Sequence, residues 1–164
     1  MDRLAARKFR SVTGLESYDR LAVLCPDELA AFLGGVVAGG WIVKSTTKLD
    51  GSSPAYFFPR KGRFYFDPER MTYLDLLHER KHLELLLARG NRKLGKGCVF
   101  LFADEISAYS YELQILTDAG GADPDYLEYP ERQIGYYESM ARGEGASPLR
   151  PARMDDPFFK RSDA

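Results

Sequence analysis

The only two histidines of this 164-residue chain, His78 and His82, stand four positions apart in "TYLDLLHERKHLEL" (residues 72–85), with Glu79 directly after the first. On a helix, side chains four apart share a face, with Cβ atoms about 5–6 Å from one another. That spacing lets two imidazoles converge on one metal ion, each nitrogen about 2.0–2.1 Å from zinc. Glu79 is turned about 100° from His78. It stands near such an ion without being an obvious ligand, where a base for a metal-activated water belongs. This is the mechanical content of H-E-x-x-H. The surrounding residues are mostly leucine, and an unpaired His or Glu among them would be costly to bury. A metal removes that cost.

A catalytic zinc takes a third protein ligand and keeps one position open. With no histidine left, that ligand should be a carboxylate. The downstream candidates are Asp104, Glu105, Glu112, Glu128 and Glu131. Glu105 is the first choice, because it opens the next helix and Ala108 one turn on leaves room for an ion. Glu112 projects from nearly the same face two turns later and is the alternative. A tetrahedral oxyanion would need a further donor, for which Tyr109, Tyr111, Tyr136 and Tyr137 are candidates. Asp75, one turn before His78, could orient a ligand or cap the helix.

The string "HERKH" followed by a helix opening "DEISAYSYE" resembles the gluzincin arrangement. The longer "YFDPERMTYLDLLHERKHLELLLARGN" resembles the zincin-like metallopeptidase toxin domains of bacterial polymorphic toxin systems, over roughly residues 55–120. The resemblance implies His78, His82 and Glu105 as ligands of one Zn²⁺ per chain, and Glu79 as general base. It implies hydrolysis of a peptide bond in a protein or peptide substrate, and a cognate immunity protein as partner. Arg80 and Lys81 depart from the uncharged residues such signatures prefer between Glu and the second His. Their long stems can carry the charges out to solvent.

Several elements must position these residues. "CPDELAAFLGGVVAGG" reads as a helix, with Pro26 in its first turn, Asp27 and Glu28 at its positive end and Gly39 and Gly40 as the stop. "WIVKSTT" reads as a strand, and "AYFF" and "RFYF" as a hairpin joined by "PRKG". "DPERMTYLDLLHERKHLELLLARG" is the strongest helix, with Asp67 as its cap, Pro68 at its first position and leucines around most of its circumference. "CVFLF" is a short apolar run, and "DEISAYSYELQILTDAGG" a second long helix capped by Asp104. "ADPDYLEYP" reads as a turn and "ERQIGYYESMARG" as a shorter helix. "GRFYF", just before the motif helix, could serve as an edge strand that pairs with an extended substrate.

The expected fold is α+β and zincin-like: a small, mostly antiparallel sheet packed on a buried HExxH helix, with further helices. Residues 1–143 form the single domain, and residues 144–164 an irregular tail rich in proline and charge, with Phe158 and Phe159 as anchors.

A net charge of −1 gives no electrostatic case for nucleic acid. No apolar run reaches the length of a membrane span, and no export signal is legible. A toxin domain of this kind would be delivered as part of a larger secreted protein; otherwise the expected location is cytoplasmic. Cys25 and Cys98 read as buried free thiols. "GNRKLGKG" approaches a phosphate-binding loop, but Gly97 stands where a hydroxyl belongs and the loop follows a helix. Two alternatives remain open at this point. One is a regulatory cytoplasmic metallopeptidase that cleaves a repressor. The other is a non-catalytic protein-binding module with a degenerate site.

Overall fold

The computed structural model describes residues 21, 23–47, 49, 54–58, 61–88, 102–119 and 124–142. The proposed tail, Cys98, the "GNRKLGKG" loop and most of "CVFLF" lie outside them.

Helix α1 (Pro26–Ala38) begins with proline where no intrahelical N–H is needed, carries Asp27 and Glu28 in its first turn and ends at Gly39. Gly40 then takes a left-handed φ of 89°, which turns the chain into strand β1 (Ile42–Ser45). Strands β2 (Ala55–Phe58) and β3 (Arg63–Phe66) form the expected hairpin, with Phe57 opposite Phe64 and Tyr56 opposite Tyr65. The sheet order is β1-β3-β2, with β1 parallel and β2 antiparallel to β3. The sheet is therefore mixed, not mostly antiparallel. The connection after β1 carries the chain past the centre, and the hairpin returns β3 into the middle. As the central strand, β3 is hydrogen-bonded on both sides and cannot accept a substrate strand, which corrects the reading of "GRFYF".

The two faces of the hairpin follow the period of two. Ala55, Phe57, Phe64 and Phe66 face Phe32 and Val36 of α1 and Leu76, Leu83 and Leu86 of helix α2 (Tyr73–Ala88), with Trp41 and Met71 completing the cluster. Phe57 and Phe64 have ring centroids 4.6 Å apart, and Trp41 meets Phe57 edge-on at 5.0 Å. Each such ring contributes about 1.5–3 kcal/mol by burial. Tyr56, Phe58 and Tyr65 pack on the other face with Leu49.

The motif helix α2 begins at Tyr73, five residues later than a cap at Asp67 would require. Asp67 instead holds a turn, its Oδ1 accepting the Glu69 N–H at 2.9 Å and its carbonyl the Arg70 and Met71 N–H groups. Pro68 lies in that turn. Thr72 is the cap. Its Oγ1 accepts the Asp75 N–H at 3.2 Å, while Asp75 Oδ2 accepts the Thr72 N–H at 2.9 Å and its hydroxyl at 2.8 Å. This reciprocal pair is a capping box. The sheet-side face of α2 is apolar, and Leu74 and Leu77 on another side meet Leu116 of helix α3 (Phe102–Asp118).

Two further boundaries differ from the sequence reading. Because α3 starts at Phe102, Asp104 sits buried within the first turn rather than at the cap. Helix α4 (Pro124–Ala141) takes in residues 124–130 of the stretch read as a turn and runs through Pro130. Proline there removes one intrahelical donor; packing of α4 along α3 outweighs that loss. Cys25 is exposed, not buried, and is a free thiol. Among the described residues no helix is long and apolar enough to cross a membrane.

Candidate metal centre

Helix α2 supplies His78, Glu79 and His82, and α3 supplies Glu105, Ala108, Tyr109 and Glu112; all seven are buried. The α3 residues form one stripe because positions 105, 108/109 and 112 recur at helical spacing. Ala108 is fully buried, so its small side chain lets the two helices approach where the polar groups meet.

Three ligand atoms converge. His78 Nε2 and His82 Nε2 are 3.2 Å apart, His82 Nε2 and Glu105 Oε2 3.3 Å, and His78 Nε2 and Glu105 Oε2 3.7 Å. Ligands about 2.0–2.1 Å from a tetrahedral zinc are separated from one another by roughly 3.4 Å. The triangle matches that edge length on all three sides, so the donor set and its spacing fit a single zinc-sized cation. Among the described residues, His78, His82 and Glu105 are the group able to hold a metal ion.

The alternative carboxylate takes a different part. Glu112 Oε2 lies 2.9 Å from His78 Nδ1, on the opposite edge of the ring from the converging atoms. The sequence reading of Glu112 as an alternative ligand is thereby corrected. In the tautomer that carries the proton on Nδ1, Glu112 accepts it and the Nε2 lone pair is directed at the other two ligands, the carboxylate–histidine relation that orients metal ligands. Asp75, engaged with Thr72, belongs to the helix cap. Of the remaining carboxylates, Glu128 is paired with Arg132 on the surface and Glu131 is exposed.

Charge gives an independent argument. Glu79, Asp104, Glu105 and Glu112 are all at most 4% exposed, and among the described residues no lysine or arginine is buried. Glu105 and Glu112 meet the imidazoles of His78 and His82, and a cation held between buried carboxylates and imidazoles would offset part of the cost of burying them. Glu79 Oε2 adds to this, since it is buried with no hydrogen-bond partner. A buried acceptor in that state is costly unless a donor reaches it.

The intervening cations avoid the centre. Arg80 is exposed, while Lys81 lies 3.7 Å from Glu84 and 5.7 Å from the centre of the Tyr111 ring. This explains how two positive charges are accommodated between Glu79 and His82. The four tyrosine candidates separate clearly. Tyr109 is buried with its ring edge-on to His78, centroids 4.5 Å apart, and Tyr137 stacks behind it at 6.1 Å. Tyr111 and Tyr136 are exposed, at 38% and 45%.

No family model, curated protein or solved structure matches this chain.

Proposed function

We propose that this chain is a zinc-dependent peptidase. The observation that carries the reading is the triangle of His78 Nε2, His82 Nε2 and Glu105 Oε2, on a helix that also carries the buried Glu79 next to His78. His78, His82 and Glu105 would hold the metal, one ion per chain. When bound there, zinc supplies Lewis acidity, lowering the pKa of water towards about 7 and polarising a carbonyl.

The chain's own groups do the rest. Glu112 keeps the proton on His78 Nδ1 and fixes the plane of the ring. Glu79 accepts the proton of the attacking water and passes it to the leaving amine. Tyr109, the buried tyrosine against His78, is the best placed of the four to donate to the oxyanion. On the resemblance of residues 55–120 alone, the proposal extends to a toxic effector domain in bacterial competition. Its substrate would then be a protein of the rival cell, and its producer would carry an immunity protein.

The test is Glu79→Gln, assayed for zinc content and for hydrolysis of a denatured-protein substrate. Retained zinc with hydrolysis lost by a factor of about 10² or more supports the reading. Hydrolysis at the wild-type rate by the variant would overturn it.

A further inference from the structure

The two edge strands of the sheet differ. All four residues of β2 are buried, whereas Ile42, Lys44 and Ser45 of β1 are exposed. The Ile42 and Thr46 N–H groups donate inward, to the carbonyls of Gly62 and Phe66. By the alternation of a strand, the backbone groups of Val43 and Ser45 point outward. Among the described residues no strand pairs with that side of β1. An open row of N–H and C=O groups is a template for a further strand.

Helix α1 contacts β1, while α2 contacts β2, so α1 lies towards the open edge. Gly35 and Gly39 of α1 turn to Leu83 and Leu87 of α2. Half a turn of the helical wheel away, at i, i+3, i+4 and i+7, stand Ala30, Leu33, Gly34 and Val37. This second apolar stripe therefore faces past β1. Ala30 and Gly34 are exposed, Leu33 is half-buried and Val37 is 59% exposed. A solvent-facing stripe is ordinarily polar, yet no charged residue occurs from Leu29 to Val43. Gly34 adds a separate sign. A Cβ there would meet nothing within 4 Å, so the single chain gives no steric reason for a residue that helix interiors disfavour.

We propose that this face pairs two copies of the chain about a two-fold axis, β1 against β1 and α1 against α1. A second copy supplies both a strand for the edge and an apolar helix for the stripe. Paired strands lie about 4.7–4.9 Å apart, which brings helices above them to the short end of the usual separation of about 8–10 Å. Small residues permit that approach, and Ala30 and Gly34 provide them. An anionic lipid surface fits less well, because Asp27 and Glu28 open the apolar run. Charge also selects the register. An axis through Lys44 would set two lysines opposite one another. An axis through Val43 lets the two Val43 residues exchange a pair of hydrogen bonds and sets Lys44 opposite Ile42 of the second copy. One helix and one strand per copy cover on the order of 800 Å² in total, below a standard interface, so the pairing is weak and concentration-dependent. The inference is independent of the metal reading.

The experiment is sedimentation equilibrium of the full chain, from micromolar concentrations to roughly 1 mM, the weak end of specific association. The expected result is a reversible equilibrium between monomer and dimer with nothing larger, because a two-fold contact closes on itself. Gly34→Leu should raise the melting temperature of the dilute monomer through helix propensity, yet weaken the dimer about tenfold or more by overpacking the stripe. Ser45→Pro removes an outward N–H that the β3 ladder does not use, and should weaken the dimer as much. Ile42→Cys combined with Lys44→Cys, in a Cys25→Ser and Cys98→Ser background, should yield a disulfide-linked dimer, since opposed residues of a non-hydrogen-bonded pair have Cβ atoms about 4.5–5.5 Å apart. A monomer at every concentration, a larger assembly, a dimer without that cross-link, or one that either Gly34→Leu or Ser45→Pro leaves intact would each overturn the proposal.

Discussion

The division of labour between Glu105 and Glu112 makes a sharp prediction. Both are buried carboxylates on one stripe of α3, but one faces the converging Nε2 atoms and the other holds His78 Nδ1 at 2.9 Å. A hydrogen bond to a charged group is worth about 1.5–3 kcal/mol, which corresponds to about 10- to 150-fold in an equilibrium constant. Glu112→Gln keeps a neutral acceptor for the Nδ1 proton, so its zinc Kd should rise by about tenfold. Glu112→Ala leaves that N–H buried and unsatisfied, and its Kd should rise by about 100-fold, the upper range for partners that orient metal ligands. In both variants the stoichiometry should stay at one zinc per chain under saturating metal. Competition titration against a chromophoric chelator measures both quantities. If Glu112→Ala loses stoichiometric zinc as completely as Glu105→Ala, Glu112 is a ligand and the assignment fails. It fails equally if Glu112→Ala binds zinc as tightly as the wild type.

Three further outcomes are expected. Removing zinc with a chelator should lower the melting temperature by about 10 °C, because ligand at 1,000 times its Kd stabilises by about 4 kcal/mol and each kcal/mol is about 2–4 °C at this size; scanning fluorimetry with and without chelator reads this, and an unchanged midpoint contradicts it. Asp75→Ala should cost about 1–2 kcal/mol of stability through the lost capping box, measured by denaturant unfolding, while leaving the zinc Kd within about twofold of the wild type; a large drop in affinity would return Asp75 to the metal site. Tyr109→Phe keeps the ring against His78 and removes only the hydroxyl, so hydrolysis should fall by about 10²–10³ with zinc retained, whereas Tyr136→Phe should be silent; equal rates for the two variants would remove Tyr109 from the mechanism.

The local parts of this structure were legible in the sequence because local chemistry decides them. Pro26, Asp27, Glu28 and Gly39 mark the ends of α1 by capping rules alone, and the spacing of His78, Glu79 and His82 becomes one face on any helix. Glu105 could be chosen because it opens the next helix. The start of α2 was legible too, in T-x-x-D at Thr72 and Asp75, but Asp67-Pro68 offers a rival start that the chain uses for a turn. The path through Pro130 could not be read locally, since tertiary packing overrides the propensity there. The strand order was out of reach for a similar reason. "RFYF" carries no mark of lying in the centre, and only the return of the hairpin between β1 and β2 puts it there. Glu105 and Glu112 share a helix face, so their roles differ only by which nitrogen of one imidazole each meets. That depends on how α3 lies along α2, a relation absent from either helix's sequence.

The most direct test of the metal centre is elemental analysis of the purified chain beside His78→Ala. About one zinc per chain in the wild type, lost in the variant, is the expected result, because His78 supplies one of three converging ligands. A wild-type protein that holds no zinc even after reconstitution would contradict the central claim, and would leave His78, His82 and Glu105 as a buried polar cluster without a metal.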